Sequence, residues 1–497
     1  MRRLTFYFII LISCSSLLGQ TKVTLKRAGT LSRAGNEQKM KDSVVLVQGN
    51  TTIFCDSALV NLLTNSAKAY GHVKILDRVD PIDIESEYLE YDGNNRIARL
   101  RRSVVMKDDS VTLYTNFLDY DRNEQFGKYF NGGKLVDESN TLTSDYGLYF
   151  TQTKKAEFFN QVDLINPDFK LKTDTLNYNT VTSLARTKGK TQGITSENDT
   201  LNTNNGLIYN RQKLYAEIYE GNINNADVFI EADTIVADNG IQAYHASQNI
   251  AMTSKPDSLT IYGNYGTYRK RIKEALVHDQ AYLRKMLEGD SLYISADTLY
   301  SNQFNPENKY LLAYHNVKMF KSNMQGVADS VSYNFTDSTI YMFTNPVIWA
   351  ENSQMSVDSI SIEVRENKIH KMNLAQESFV IQQDSAENFN QVKGRSMEVY
   401  FNEGFISKTD VNGNGESIYH IREATGAMSM NKMKCSNMAL YFDRNMVTEI
   451  RTYKEVDGQV KPQLEIAPID RRLRGFIWHQ DIRPSLRQVA RNLRWDR

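Results

Sequence analysis

Phe169-Lys170-Leu171-Lys172-Thr173-Asp174-Thr175-Leu176-Asn177-Tyr178 changes the phase of its own alternation halfway along. Phe169 and Leu171 alternate with Lys170 and Lys172, the two-residue period of a half-buried strand. Past Asp174 the apolar positions are Leu176 and Tyr178, displaced by one residue. The same displacement separates Ile82 and Ile84 from Leu89 and Tyr91, and Val111 and Leu113 from Leu118 and Tyr120. A one-residue slip sends every later side chain to the opposite face of a strand. A strand that keeps one face apolar throughout therefore needs a bulge or a corner at that point. Asp or Asn suits such a corner, because its short side chain bonds nearby backbone groups.

The pattern recurs thirteen times, anchored at Asp56, Glu87, Asn116, Asp145, Asp174, Asn205, Asp233, Asn264, Asp297, Asp329, Asp358, Ser396 and Asn437. Successive spacings are 31, 29, 29, 29, 31, 28, 31, 33, 32, 29, 38 and 41 residues. Tyr stands four positions after the anchor in nine of the thirteen units, a coincidence too regular for chance. Self-similarity at this period marks a repeat architecture, which grows by adding units. Each unit reads as a bent strand, a turn such as Asp92-Gly93-Asn94-Asn95, and a return strand such as Ala67, Ala69, Gly71, Val73 and Ile75. The two wide spacings near the end predict inserted loops, such as Asn412-Gly413-Asn414-Gly415. The expected fold is all-β: an elongated antiparallel β-jellyroll of about 13 repeats of roughly 30 residues. Turn-centred hairpins and long alternating arms favour it over a right-handed parallel β-helix.

Composition narrows the function. Lys plus Arg and Asp plus Glu both total 59, and this balance points neither to nucleic acid nor to a strongly anionic surface. The chain has 28 Tyr and 21 Phe, which favours strands over helices. Arg2 and Arg3 followed by the apolar run Leu4 to Leu18 have the order of an export signal. Cleavage near Gly19–Gln20 is favoured because the apolar stretch continues past Cys14; Leu11-Ile12-Ser13-Cys14 offers the alternative of a lipobox with Cys14 lipidated. No later stretch is long and apolar enough for a transmembrane helix. Cys55 and Cys435 lie in the first and last repeats and read as packed thiols. No CxxC spacing, HExxH, GxSxG or GxGxxG in the required context is present, so neither a metal, a cofactor nor an enzymatic activity is expected.

The units resemble those of the organic-solvent-tolerance (OstA) family, the periplasmic LptA-like lipopolysaccharide-transport proteins. The resemblance is clearest in Ile53-Phe54-Cys55-Asp56-Ser57-Ala58 followed by Ala67-Lys68-Ala69-Tyr70-Gly71-His72-Val73-Lys74-Ile75. Ala296-Asp297-Thr298-Leu299 followed by Leu312-Ala313-Tyr314-His315-Asn316-Val317 echoes it, and the likeness extends over residues 22 to 455. It implies a jellyroll with an apolar groove for acyl chains, set in the periplasm and joined end to end through edge strands. Partners implied are lipopolysaccharide or a related lipid, other outer-membrane assembly proteins, and a second copy of the chain. On that reading the inward apolar residues Ile84, Leu89, Leu113, Leu118, Leu171, Leu176, Ile230, Ile235, Ile261 and Ile294 are the candidate lipid-binding residues. The chain departs from the family in being far longer than a single jellyroll. We divide it into a signal peptide (1–19), a repeat jellyroll (20–455), one or two in succession, and an Arg-rich cap (456–497).

Two other readings stay open. A transmembrane β-barrel would suit thirteen hairpins, but charges such as Arg99, Arg101 and Arg102 crowd strands whose lipid face should avoid them. A surface adhesin or carbohydrate-active solenoid would concentrate exposed aromatics and acids in one cleft, and none stands out. The anchor carboxylates form a ladder that could hold cations, but frequent Asn at that position favours corner hydrogen bonding. His245 and His315 occupy equivalent repeat positions, a mark of repetition and not of catalysis. Residues 470–497 hold eight Arg against three Asp; past Pro484, Leu486, Val489, Ala490 and Leu493 share one helical face. This predicts a short amphipathic helix that caps the last repeat, with an anionic-lipid or partner contact as the alternative.

Overall fold

The computed structural model describes residues 21–490, apart from 78–80, 110, 385–387, 423–425 and 445. The expected signal peptide, Cys14 and Leu493 lie outside the described residues. The chain forms two compact units, Met1–Gly189 and Lys190–Arg497.

The first unit opens as a meander of long strands. Glu37–Gln48, Thr51–Asn61, Ser66–Asp77, Ile82–Asp92, Ile97–Asp108 and Val111–Asp121 each pair antiparallel with the next. Along Thr51–Asn61 the buried positions are Thr51, Ile53 and Cys55, then Ala58 and Val60. The phase flips where the anchor Asp56 stands, as the sequence predicts. Pairing gives the cause: Phe54 faces Lys74 and Ser57 faces Tyr70, so the return strand carries one extra residue. That extra residue is a bulge. On the return strand it is made by two consecutive left-handed residues, Gly71 (φ 73°) and His72 (φ 41°). Arg102 with Ser103, Asn160 with Gln161, and Gln248 with Asn249 repeat the device.

The anchors hold these bulges. Asn116 Oδ1 accepts the Ser103 N–H at 3.2 Å, and Asn437 Oδ1 accepts the Gly413 N–H at 3.0 Å. Elsewhere the bond is side chain to side chain: Asn249 donates to Asp233 and Asn316 to Asp297, both at 2.8 Å. The His72 imidazole lies 2.8 Å from Asp56. In some units the strand breaks at the corner, as where Thr141–Ser144 and Tyr146–Phe150 flank Asp145.

Each bent strand thus contributes its first half to one sheet and its second half to a second, and the apolar interior lies between them. Cys55 and Cys435 are buried free thiols. The wide anchor spacings have a different origin from the one predicted. Lys368–Gln383, Phe389–Asn402, Phe405–Arg422 and Met428–Asp443 are simply longer, at 16, 14, 18 and 16 residues. Asn412-Gly413-Asn414-Gly415 is no inserted loop: it is the corner of the third of these, with Gly413 at φ 75° and Asn414 at φ 53°.

Residues 463–490 do not stop at the last repeat. They run back across the second unit in reverse order of its strands. Gln391 donates to the Arg471 carbonyl at 2.9 Å and accepts the Leu473 N–H at 2.8 Å. Gln354 does the same with the Ile477 carbonyl (2.8 Å) and the His479 N–H (2.7 Å). Gln325 accepts from the Arg483 guanidinium at 2.8 Å. Leu473 packs on Phe379, Ile381, Ile418 and Met430; Val489 and Ala490 pack on Tyr282 and Tyr293. Among the described residues α-helix is confined to one turn, Leu486–Val489. Because Val380 and Gln382 line an interior void, Phe379 and Ile381, which alternate with them, point outward. The segment is therefore a strap on the outer face of one sheet. It leaves Val347, Ile348 and Trp349 all buried, where a one-sided sheet would alternate.

Two outcomes follow. Gly71→Ala places a Cβ 2.2 Å from Asp56 Oδ2 in a left-handed residue, and should lower the first unit's stability by about 1–3 kcal/mol, read from the urea midpoint. Gln354→Ala removes two partly buried bonds to the strap, at a local cost of about 1–3 kcal/mol. Tryptic cleavage after Arg474, which lies in the strap between the Gln391 and Gln354 contacts, should accelerate, while Gln212→Ala, a residue in none of these strap contacts, should not change it.

Candidate functional site

All ten residues singled out from sequence are buried, none more than 5% exposed. Four pairs straddle a corner: Ile84 with Leu89, Leu113 with Leu118, Leu171 with Leu176, and Ile230 with Ile235. Pairing register joins them into rows. In the first unit Ile84 pairs with Met106 and Met106 with Leu113, while Leu89 pairs with Leu100 and Leu100 with Leu118. In the second, Ile230, Met252, Ile261, Leu283, Ile294 and Met319 form one unbroken file across six strands. Each unit's interior is thus lined along its sheets by continuous apolar side chains.

That interior is packed. Between the sheets of the second unit lie a void of about 30 Å³, lined by Leu259, Leu283, Ile294, Leu311, Val331 and Ile340 among others, and one of about 40 Å³ near Met355, Val392 and Leu440. Each is close to one water's share of liquid volume. The first contains one charged lining residue, Lys285, whose Nζ donates to the Asp257 carbonyl at 2.9 Å and lies 5.9 Å from the Tyr333 ring centre. Burial lowers its pKa.

Opposite the corner the free rims of the two sheets meet in a polar seam. In the first unit Tyr91 donates to Gln48 at 2.5 Å, and Arg122 pairs with Asp77 at 2.5 Å. Asp108 takes both the Tyr149 hydroxyl (2.6 Å) and Lys154 (2.5 Å), and Asp137 takes the Tyr178 hydroxyl at 2.6 Å. In the second unit Asp199 takes Tyr244 (3.1 Å) and Lys270 (2.6 Å), Asp227 takes Lys273 (2.8 Å), and Asp257 takes Gln303. Glu288 donates its N–H to the Asn367 carbonyl at 2.9 Å and accepts the Ile369 N–H. The tyrosines at the fourth position after the anchor thus include the seam residues Tyr91, Tyr149 and Tyr178: ring inside, hydroxyl at the rim.

The rim acids were missed from sequence, although a signal was there. Asp77, Asp108, Asp137, Asp199, Asp227, Asp257 and Glu288 are spaced 31, 29, 62, 28, 30 and 31 residues apart, a second ladder in step with the anchors. The anchors, by contrast, stay at the corner and hold its backbone. Among the described residues no group of three or more His, Cys, Asp or Glu is placed to hold a metal ion.

Titration follows from the partners. Burial pushes the Asp137 carboxyl up, but hydrogen bonds from Tyr178, Asn140 and two backbone N–H groups outweigh it and hold it below the usual range. Burial likewise lowers Lys154 and Lys270, and their carboxylate partners more than compensate, leaving both raised. Asp137 therefore contributes stability above its unfolded value of about 4, lost as pH falls through its folded value. The two lysines contribute below their unfolded value of about 10.4, lost as pH rises through theirs. Through these three groups the melting temperature should fall below about pH 5 and above about pH 9. Asp137→Asn should shrink the acid-side fall in scanning calorimetry; an unchanged acid limb would show that Asp137 does not couple to folding.

Comparison with curated proteins finds none that matches. Among solved structures, part of the chain is similar to LptH, described as the LptA-homologous periplasmic component of the conserved lipopolysaccharide transport device from Pseudomonas aeruginosa. The two are 17% identical, over 23% of this chain and 85% of that one, with a TM-score of 0.21. The sequence model of the family described as OstA-like protein matches residues 20–174, the stretch that carries the first five anchors. By that match residues 20–174 are similar to the OstA-like family.

Proposed function

We propose that this protein is a periplasmic scaffold that binds the acyl chains of lipopolysaccharide, or of a similar acylated glycolipid, and carries or bridges it toward the outer membrane. The observation that carries the reading is the continuous apolar file between the sheets of each unit. Hiding acyl surface there is worth about 25 cal/mol per Å², and a file without polar interruptions lets a chain move from one repeat to the next without meeting water. Ile84, Leu89, Leu113, Leu118, Leu171, Leu176, Ile230, Ile235, Ile261 and Ile294 are the residues assigned to it. The protein acts as a scaffold and not as a catalyst. Its outer-membrane assembly partners, or a second copy, would pair with the exposed edge strands Thr30–Ala34 and Asp457–Pro462.

Native mass spectrometry of the mature protein, incubated with purified lipopolysaccharide and separately with phosphatidylethanolamine vesicles, tests this. Lipopolysaccharide should be retained in preference. A benzophenone-bearing phenylalanine analogue in place of Leu118 should crosslink to the retained lipid, whereas the same group in place of Tyr114, which is 45% exposed, should not. A folded protein that retains neither lipid would leave a structural or adhesive β-solenoid as the better account.

A further inference from the structure

The apolar files do not say how a ligand gets between the sheets. In the second unit voids of about 30 and 40 Å³ admit no acyl chain, so its sheets must part, and in the first the inward residues Ile84, Leu89, Leu113 and Leu118 are as fully buried. They meet in two places. At the corner the chain itself passes from one sheet to the other in every bent strand, as in Thr51–Asn61 and Ile82–Asp92, so the sheets cannot separate there without unfolding. At the seam the connections turn back into their own sheet, as at Gln48–Thr51 and Asn61–Ser66, and among the described residues no strand crosses. What crosses is a row of side-chain bonds and the backbone bond from Glu288 to Asn367. Each is a hydrogen bond or ion pair whose groups meet water once the rims part, so that opening exchanges protein partners for water instead of leaving buried groups unpaired. One rung is incomplete, because among the described residues the buried Tyr268 hydroxyl has no hydrogen-bond partner.

We infer that the seam is a lateral slot through which the acyl chains of an amphiphile enter each unit sideways, with the Tyr–Asp and Lys–Asp rungs as its latch. The inference rests on the lipid-binding reading above and adds the route. During entry Tyr91, Tyr149, Tyr178 and Tyr244 give up the carboxylate or amide that holds them, while their rings remain as apolar lining. The polar rims then face water and the ligand's head group, and the chains lie on the files within. The corner stays shut throughout and acts as the hinge line.

The test locks the seam. In a Cys55→Ala, Cys435→Ala background, Glu288→Cys with Asn367→Cys places a disulfide beside the 2.9 Å backbone contact of the second unit. Asp137→Cys with Tyr178→Cys, bridged by a short cleavable bifunctional thiol reagent, locks the first. Lipopolysaccharide retained by the doubly locked protein should fall at least tenfold and recover on reduction. A bridge across the corner, Asp56→Cys with His72→Cys, should leave loading unchanged. Tyr149→Phe, which removes one hydroxyl and little else, should speed loading severalfold. Equal loading of the locked and reduced proteins overturns the slot while leaving the lipid reading intact. If neither form loads lipid, the lipid reading fails, and amide hydrogen exchange decides the seam on its own. Rim amides that exchange faster than corner amides, and are slowed at least tenfold by the lock, support a seam that opens. Equal protection at rim and corner overturns it.

Discussion

The structure depends on a conflict between a strand's period and its surroundings. A strand can keep one face apolar only while it stays in one sheet. When it turns the corner into a second sheet facing the first, the inward side changes parity. The chain resolves this by shifting its apolar positions one residue at the anchor and by opposing it with a bulged return strand. Left-handed pairs such as Gly71 with His72 supply the extra residue, and an Asp or Asn next door holds it. Because every long strand is bent in this way, consecutive hairpins stack without further instruction, and their two halves build two facing sheets.

Bending the strands brings their free ends together, and this gives the repeated tyrosine its role. A Tyr hydroxyl is amphipathic at the scale the seam requires: the ring belongs to the interior and the oxygen reaches the rim. Tyr149 and Tyr178 each find a carboxylate about one and a half repeats earlier in the chain, because the partner lies on the opposite sheet. Buried Asp108, 1% exposed, is tolerable only because Tyr149 and Lys154 both donate to it. Each unit is therefore asymmetric in cross-section, with covalent continuity on one side and exchangeable polar contacts on the other.

The second unit adds a layer. There the strap turns one sheet's outer face into a second core, and Gln354 and Gln391 hold it by imitating a neighbouring strand: each amide donates to one strap carbonyl and accepts one strap N–H, as a peptide group does. The repeats beneath it depart from simple alternation for that reason. Runs such as Val347-Ile348-Trp349 are covered on both sides, and a run of this kind read by itself is ambiguous between a buried strand and other buried structure.

How much of this is legible in the residues depends on the range of the interaction. Alternation, its phase shift and the thirty-residue period are local, so the sequence by itself determined an all-β antiparallel repeat, the corners at Asp56, Glu87 or Asp174, and the inward orientation of residues such as Leu118 and Leu176. The rim acids were equally periodic, but their meaning lies in partners 41 to 46 residues away, as for Tyr149 with Asp108 and Lys154 with Asp108. The strap bonds span 123 to 158 residues in the cases of Gln354 and Gln325. Only the tertiary structure decided that the long spacings are longer strands, that the C-terminal segment lies on an outer face, and that Tyr and Asp close the side opposite the corner. These outcomes depend on which surfaces the folded sheets bring within hydrogen-bond reach, and spacing along the chain carries no measure of that distance.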